Sequence, residues 1–272
     1  MNSDYWQDKV CVVTGASAGL GAVVARTLSA RGASLVLVAR NLQPLEQLAE
    51  NLRALGGNAI AITADLTAGQ EVARLAENVL QQFGRVDLLC NCAGKSSRGA
   101  ILETSAEDFQ ELLDINFLAA VRTTRALAPA LIQSGGHVVQ VGSLASKVAS
   151  RFLGAYPASK FALAAYSQQL RLELGPQGLH VLLVCPGPML RDDAGARYTQ
   201  QADGLPDEAK QPGGGAKLKG IDPEWLAETI LSACEKRQPE LVVPWKVRVL
   251  LTLAQLSPRL GDWLLLRATS NQ

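Results

Sequence analysis

Tyr156-Pro157-Ala158-Ser159-Lys160 sets a phenol and an ammonium four residues apart. On a helix that spacing is about one turn, so both side chains emerge on one face. Pro157 is tolerated where a helix begins, because its missing N–H falls among the unpaired donors of the first turn. A free tyrosine has a pKa of about 10, too high for an efficient base at neutral pH. A neighbouring ammonium favours the phenolate, which suits Tyr156 to give a proton to a carbonyl oxygen or take one from an alcohol. The pair alone is common on helices by chance, so its company matters. Ser143, in Val141-Gly142-Ser143, closes a strand-like run thirteen residues earlier and brings a hydroxyl to the same end of a sheet. Asn116, in Asp114-Ile115-Asn116-Phe117, is an amide among apolar neighbours. It either satisfies a local backbone group or holds an ordered water.

Regular elements are needed to bring these side chains together. Short runs, mostly rich in Val, Ile and Leu, occur at 9–14, 33–39, 58–63, 86–91, 136–142, 179–185 and 240–243. They suit strands covered on both faces. Helical candidates lie between them at 21–30, 42–55, 69–83, 105–133, 157–174 and 223–236. The alternation predicts an α/β fold with right-handed crossovers: a doubly wound, Rossmann-type parallel sheet of about seven strands with helices on both faces. No repeat or linker divides residues 1–272, so a single domain is expected. Residues 191–220 break the rhythm with little periodicity and a Gly213-Gly214-Gly215 run, and are read as a substrate lid in preference to a disordered insertion.

The first strand runs into Thr14-Gly15-Ala16-Ser17-Ala18-Gly19-Leu20-Gly21 and then a helix. Glycines there permit a tight turn and close approach to a pyrophosphate, and the helix start attracts its charge. Gly15, Ser17, Gly19, Leu20 and Gly21 are therefore candidate dinucleotide contacts. The second strand ends Val38-Ala39-Arg40-Asn41, with a guanidinium where an NAD-preferring protein usually carries an acid. Arg40, helped by Ser17 and Asn41, is suited to a 2′-phosphate, which favours NADP(H) and leaves NAD(H) as the alternative. The plainer reading of Arg40 is an exposed surface residue. Asp65, in Ala64-Asp65-Leu66, either accepts from an adenine amino group or caps its own loop. Asn91-Cys92-Ala93-Gly94 ends the fourth strand, where it can flank the adenine ribose.

Taken jointly, the Thr14–Gly21 turn, Asn91-x-Ala93-Gly94, Asn116, Ser143, Tyr156-x-x-x-Lys160 and Pro186-Gly187 resemble the short-chain dehydrogenase/reductase family. The order and spacings match over roughly residues 8–245. The resemblance implies hydride transfer between nicotinamide and a carbonyl or secondary alcohol, by a tetrad of Asn116, Ser143, Tyr156 and Lys160. Tyr156 would be the acid/base, and Ser143 would position the reacting oxygen. Lys160 would lower the tyrosine pKa and hold the nicotinamide ribose, with Asn116 binding a water that links Lys160 to solvent. Leu66, Ala93, Pro186 and Gly187 join the expected cofactor contacts. Two departures stand out: Arg191 replaces a threonine common after Pro186-Gly187, and Ala18 replaces a basic residue frequent in NADP-preferring members.

The remaining totals mostly exclude. With 26 Lys+Arg against 25 Asp+Glu there is no basic excess to suggest nucleic acid. The five cysteines read as small buried hydrophobes in a reducing compartment, with Cys90 and Cys92 alternating along one strand and sharing a face. The chain reaches an apolar strand by Val10 without the layout of a signal peptide, and a cytoplasmic setting is expected. Residues 247–267 are apolar and basic, and Pro258 splits them into two short helices. Either they contact a membrane surface, or they pack across the substrate cleft or a neighbouring subunit, the commoner fate of terminal helices. The resemblance implies a homodimer or homotetramer acting on a small molecule.

Overall fold

A computed structural model of the chain describes residues 4–190, 198, 201–211, 215 and 218–269. Seven strands form one sheet: β1 (Val10–Thr14), β2 (Ser34–Ala39), β3 (Asn58–Thr63), β4 (Leu88–Asn91), β5 (His137–Val141), β6 (His180–Pro186) and β7 (Glu240–Val243). Their order is β3-β2-β1-β4-β5-β6-β7, and every pairing is parallel. The helices are α1 (Gly19–Ser29), α2 (Leu42–Ala54), α3 (Gly69–Phe83), α4 (Ala106–Leu113), α5 (Ala119–Gln133), α6 (Tyr156–Leu174), α7 (Asp207–Lys210), α8 (Pro223–Glu235), α9 (Trp245–Leu256) and α10 (Pro258–Thr269).

The two-residue period of a strand decides which core each side chain enters. Cys11, Val13, Leu35 and Leu37 pack on one face with Leu28 of α1, Leu45 of α2 and Leu226 of α8. Val12, Val36 and Val38 pack on the other with Leu75 of α3 and Leu127 of α5. Both faces are covered, so the strands read as continuous apolar runs rather than alternating ones. The chain winds outward from β1 in both directions, and this reversal opens a crevice at the carboxyl ends of β1 and β4. Thr14 and Asn91, register partners, end their strands there.

One expected element is different. Residues 105–133 were expected as one long helix. Instead α4 and α5 are separated by a π-helical turn, Asp114–Leu118, with Asn116 buried inside it. The extra residue in the turn rotates Asn116 out of the regular helical progression, and such bulges often occur at functional sites.

At the opposite end of the sheet, register pairs His137 of β5 with His180 of β6. The imidazoles meet Nδ1 to Nδ1 at 2.8 Å. His180 Nε2 lies 2.8 Å from the Gln238 carbonyl, which only accepts, so that nitrogen carries a proton and His180 Nδ1 accepts. His137 Nδ1 must then donate, and its Nε2 accepts from the Tyr5 hydroxyl at 2.7 Å. With both rings neutral, every one of these partners is satisfied. Burial, with His180, Arg237 and Lys9 adding, pushes His137 down to about 3, and burial lowers His180 as well. Both folded pKa values lie below the unfolded value of about 6.5, so stability is full above that pH and falls as pH drops. By pH 5 the His137 contribution alone should cost about 2 kcal/mol. Urea unfolding at pH 7 and pH 5 measures this; equal free energies would contradict the neutral pair.

Candidate active site

The turn between β1 and α1 is built for close approach. Gly15 has φ of +64°, and a Cβ there would sit 2.8 Å from the Ala93 nitrogen. A Cβ on Gly21 would collide with the Gly15 carbonyl. Side chains are excluded from both places, so the turn folds flat against the loop after β4 and leaves its outer rim open. Thr14 fixes that loop from below: its Oγ1 accepts from the backbone N–H groups of Cys92 and Ala93, each at 3.2 Å.

A cavity of about 1870 Å³ starts at this turn and extends to Tyr156 and Lys160. Small-ligand pockets are typically about 300–1,000 Å³, so there is room here for a dinucleotide and a second molecule. Gly15, Ser17, Gly19, Leu20 and Gly21 line one end with Arg40, Asn41 and Leu66. Ala93, Gly94, Pro186 and Gly187 line the middle. The glycine cradle and the start of α1 fit an extended, anionic dinucleotide.

Two expected contacts are engaged elsewhere. Asn91 is buried; its amide donates to Thr124 and to Gln140, and its oxygen accepts from Thr123. The side chain ties β4 to α5 and β5 and is not part of the cavity wall. Asp65 Oδ1 accepts from both the backbone N–H and the hydroxyl of Thr67, which lowers its carboxyl pKa. Through Oδ1 it caps its own loop, and its neighbour Leu66 lines the cavity. Arg191 lies outside the described residues.

At the chemical end, Tyr156 is the first residue of α6 and Lys160 lies one turn on. The Lys160 Nζ is 5.8 Å from the centre of the Tyr156 ring and donates to the Val141 carbonyl at 2.9 Å. Lys160 is only 5% exposed. Burial pushes its pKa down to about 8, leaving the ammonium predominant at neutral pH. Ser143 follows β5 directly, lines the cavity and accepts from the Ala145 N–H at 3.1 Å, which orients its hydroxyl oxygen. Asn116 grips the loop after β4 from both sides: its oxygen accepts from the Lys95 N–H at 2.8 Å, and its amide donates to the Lys95 carbonyl at 2.9 Å. The same amide donates to Ser159, whose hydroxyl donates to the Tyr156 carbonyl. The backbone group it clamps lies 21 residues away in a loop rather than in its own helix. A Cβ on Gly94 would lie 2.7 Å from the Asn116 oxygen, so glycine is needed for this approach.

Several contributors were not legible beforehand. Ser159, adjacent to Lys160, is buried and links Asn116 to α6. Arg98 is nearly buried and donates to the carbonyls of Ala209, Gln211 and Ser97. Its guanidinium lies 3.8 Å above the Tyr198 ring, whose hydroxyl meets Ser96 at 2.9 Å. Arg98 and Ser96 thus join the loop after β4 to Tyr198, Ala209 and Gln211, described residues of the expected lid; its residues 191–197, 199–200, 212–214 and 216–217 lie outside the described residues. The cavity is closed on another side by α9 and α10, through Val247, Leu251, Ala254, Leu264 and Leu265. The tail packs across the cleft, while Trp245, Leu256 and Trp263 remain exposed. Among the described residues, no helix is long and apolar enough to cross a membrane.

The family model for short chain dehydrogenase matches residues 9–202. Dehydrogenase/reductase SDR family member 7B of Bos taurus is 35% identical over 248 residues, spanning 88% of this chain and 74% of that protein. A short chain dehydrogenase/reductase from Burkholderia phymatum, solved in complex with NAD, aligns with a TM-score of 0.81 at 25% identity. It covers 94% of this chain and 96% of its own. The L-sorbose reductase of Gluconobacter frateurii, complexed with NADPH and L-sorbose, gives 0.77 at 27% identity, covering 87% and 95%. Sequence kinship over most of the chain and a shared overall fold lead to one conclusion: this protein belongs to the short-chain dehydrogenase/reductase family of oxidoreductases.

Proposed function

We propose that the protein is an NADP(H)-preferring oxidoreductase that interconverts a carbonyl and a secondary alcohol, with Tyr156 as the acid/base. The observation that carries this reading is the buried Lys160 ammonium beside the Tyr156 ring, in a cavity continuous with the glycine turn. The bound nicotinamide supplies the hydride in reduction and accepts it in oxidation. Ser143 holds the substrate oxygen by hydrogen bonding. Tyr156 gives that oxygen its proton in reduction and removes it in oxidation. Lys160, still charged at neutral pH, stabilises the phenolate left behind. Asn116 acts at one remove by fixing Lys95 and Ser159, and through Ser159 the start of α6.

The NADP(H) preference rests on Arg40, exposed at the rim of the cavity with no acid beside it at the end of β2. Arg40→Asp should shift the ratio of kcat/KM for NADPH over NADH by about 100-fold toward NADH, the scale of a lost charge-assisted pairing and an added repulsion. An unchanged ratio would remove Arg40 from the argument. The apolar wall given by α9 and α10 favours a substrate with a sizeable apolar part next to its carbonyl.

The segment after β6 is read as a substrate cover, and Arg98 as its latch. Arg98→Ala should raise substrate KM about 10-fold while changing kcat less, since the latch orders the cover rather than the reacting atoms. An unchanged KM would mean that the segment does not cover the substrate.

A further inference from the structure

We propose that Cys90 and Cys92 form an oxidisable dithiol at the cofactor cleft, which a hydroperoxide closes to a disulfide that weakens nucleotide binding. The two sulfurs lie 3.4 Å apart. Neighbours at i and i+2 on a flat strand stand too far apart for bonding ease, but β4 is ending here. The Cys92 N–H donates to the Cys90 carbonyl at 3.1 Å, a γ-turn-like contraction about Asn91 that draws the two residues together. A disulfide needs the sulfurs at about 2.05 Å, so a closure of a little over about 1 Å completes the bond.

The two thiols are placed differently. Cys90 is fully buried in the core beside α1. The contact with Cys92 and burial both raise its pKa and hold its thiol protonated. Cys92 is partly exposed and lines the cavity, within electrostatic reach of the Lys160 ammonium. Cys92 is therefore the sulfur that a small oxidant reaches, and Cys90 the one that resolves. The other three cysteines, Cys11, Cys185 and Cys234, are buried.

In the first step the Cys92 sulfur attacks one peroxide oxygen. An S–O bond forms, the O–O bond breaks, and the departing oxygen takes the Cys92 proton, leaving as water from hydrogen peroxide or as the alcohol from an organic hydroperoxide. In the second step the Cys90 sulfur attacks the Cys92 sulfur. The S–S bond forms, the S–O bond breaks, and hydroxide leaves as water with the Cys90 proton. Two thiols lose two electrons in total, and one hydroperoxide is reduced.

Closure matters because the loop has no slack. Cys92 and Ala93 are held by Thr14, Ala93 abuts Gly15, and Gly94 abuts Asn116. Pulling Cys92 toward Cys90 displaces the wall against which the glycine turn is set. This second half of the proposal rests on the nucleotide-binding reading above; the thiol chemistry does not.

Trypsin releases both sulfurs on one peptide, residues 86–95, between Arg85 and Lys95. The full chain is treated with a slight excess of hydrogen peroxide, denatured, alkylated and mapped by mass. Peptide 86–95 should be unalkylated and lighter by two hydrogens, and dithiothreitol should reverse this. The same oxidised sample should bind NADPH about 10-fold more weakly by fluorescence titration, with recovery on reduction. In Cys90→Ser, peptide 86–95 should trap dimedone on Cys92 instead. Full alkylation of both thiols after peroxide would overturn the dithiol. A disulfide with unchanged NADPH affinity would overturn its coupling to the cleft. If the reduced protein binds no nucleotide, the functional reading fails while the mass map still decides the dithiol.

Discussion

Tyr156→Phe is expected to bind NADPH within about 2-fold of the native protein while its turnover falls about 10³-fold, within the range for a lost general acid. That loss corresponds to about 4 kcal/mol of transition-state stabilisation. The substitution removes one oxygen and keeps the ring against Lys160. The helix start is held independently, by Pro157 in its first turn and by Ser159 on the Tyr156 carbonyl. A loss in kcat without a loss in nucleotide affinity separates proton transfer from folding and binding. Fluorescence titration and steady-state rates on one preparation measure both quantities. Retained turnover would mean that another group moves the proton.

Lys160→Met should lower kcat/KM by about 10²–10³-fold, because the charge that supports the phenolate is gone. Its pH profile is more telling than its size. In the native protein Lys160 is charged below about 8 and loses its charge above that value. Reductive kcat/KM should therefore decline as pH rises through about 8, and Lys160→Met should lack that limb while keeping any other. The limb reports a free-enzyme group when followed in kcat/KM. A limb near 8 that survives in Lys160→Met would belong to a different residue.

The sheet was legible because strands buried on both faces leave unbroken apolar runs, and each of these lies where a strand formed. The glycine turn and Tyr156-x-x-x-Lys160 were legible because their chemistry depends on short spacings that local structure preserves. Asn91 and Asp65 were placed correctly along the chain, but their side chains were claimed by Thr123, Gln140 and Thr67. Only the fold decides which of several partners an amide or carboxylate meets. The π-helical turn escaped because a single extra residue barely alters the helical period. It is the Lys95 backbone, drawn in from the neighbouring loop, that Asn116 answers there. The Arg98–Tyr198 contact joins residues a hundred positions apart. The His137–His180 pair follows from strand order, which brings β5 beside β6 in register. No local pattern carries either one.

The central claim is hydride transfer from a nicotinamide dinucleotide to a carbonyl, and isotope transfer tests it most directly. The full-length protein would be incubated with NADPH deuterated at nicotinamide C4 and a panel of ketones and aldehydes with apolar substituents. The expected result is NADPH oxidation with at least one of them, deuterium on the new carbinol carbon, and slower turnover with NADH. Deuterium lost to solvent, or NADPH bound tightly with no carbonyl on the panel reduced, would contradict it.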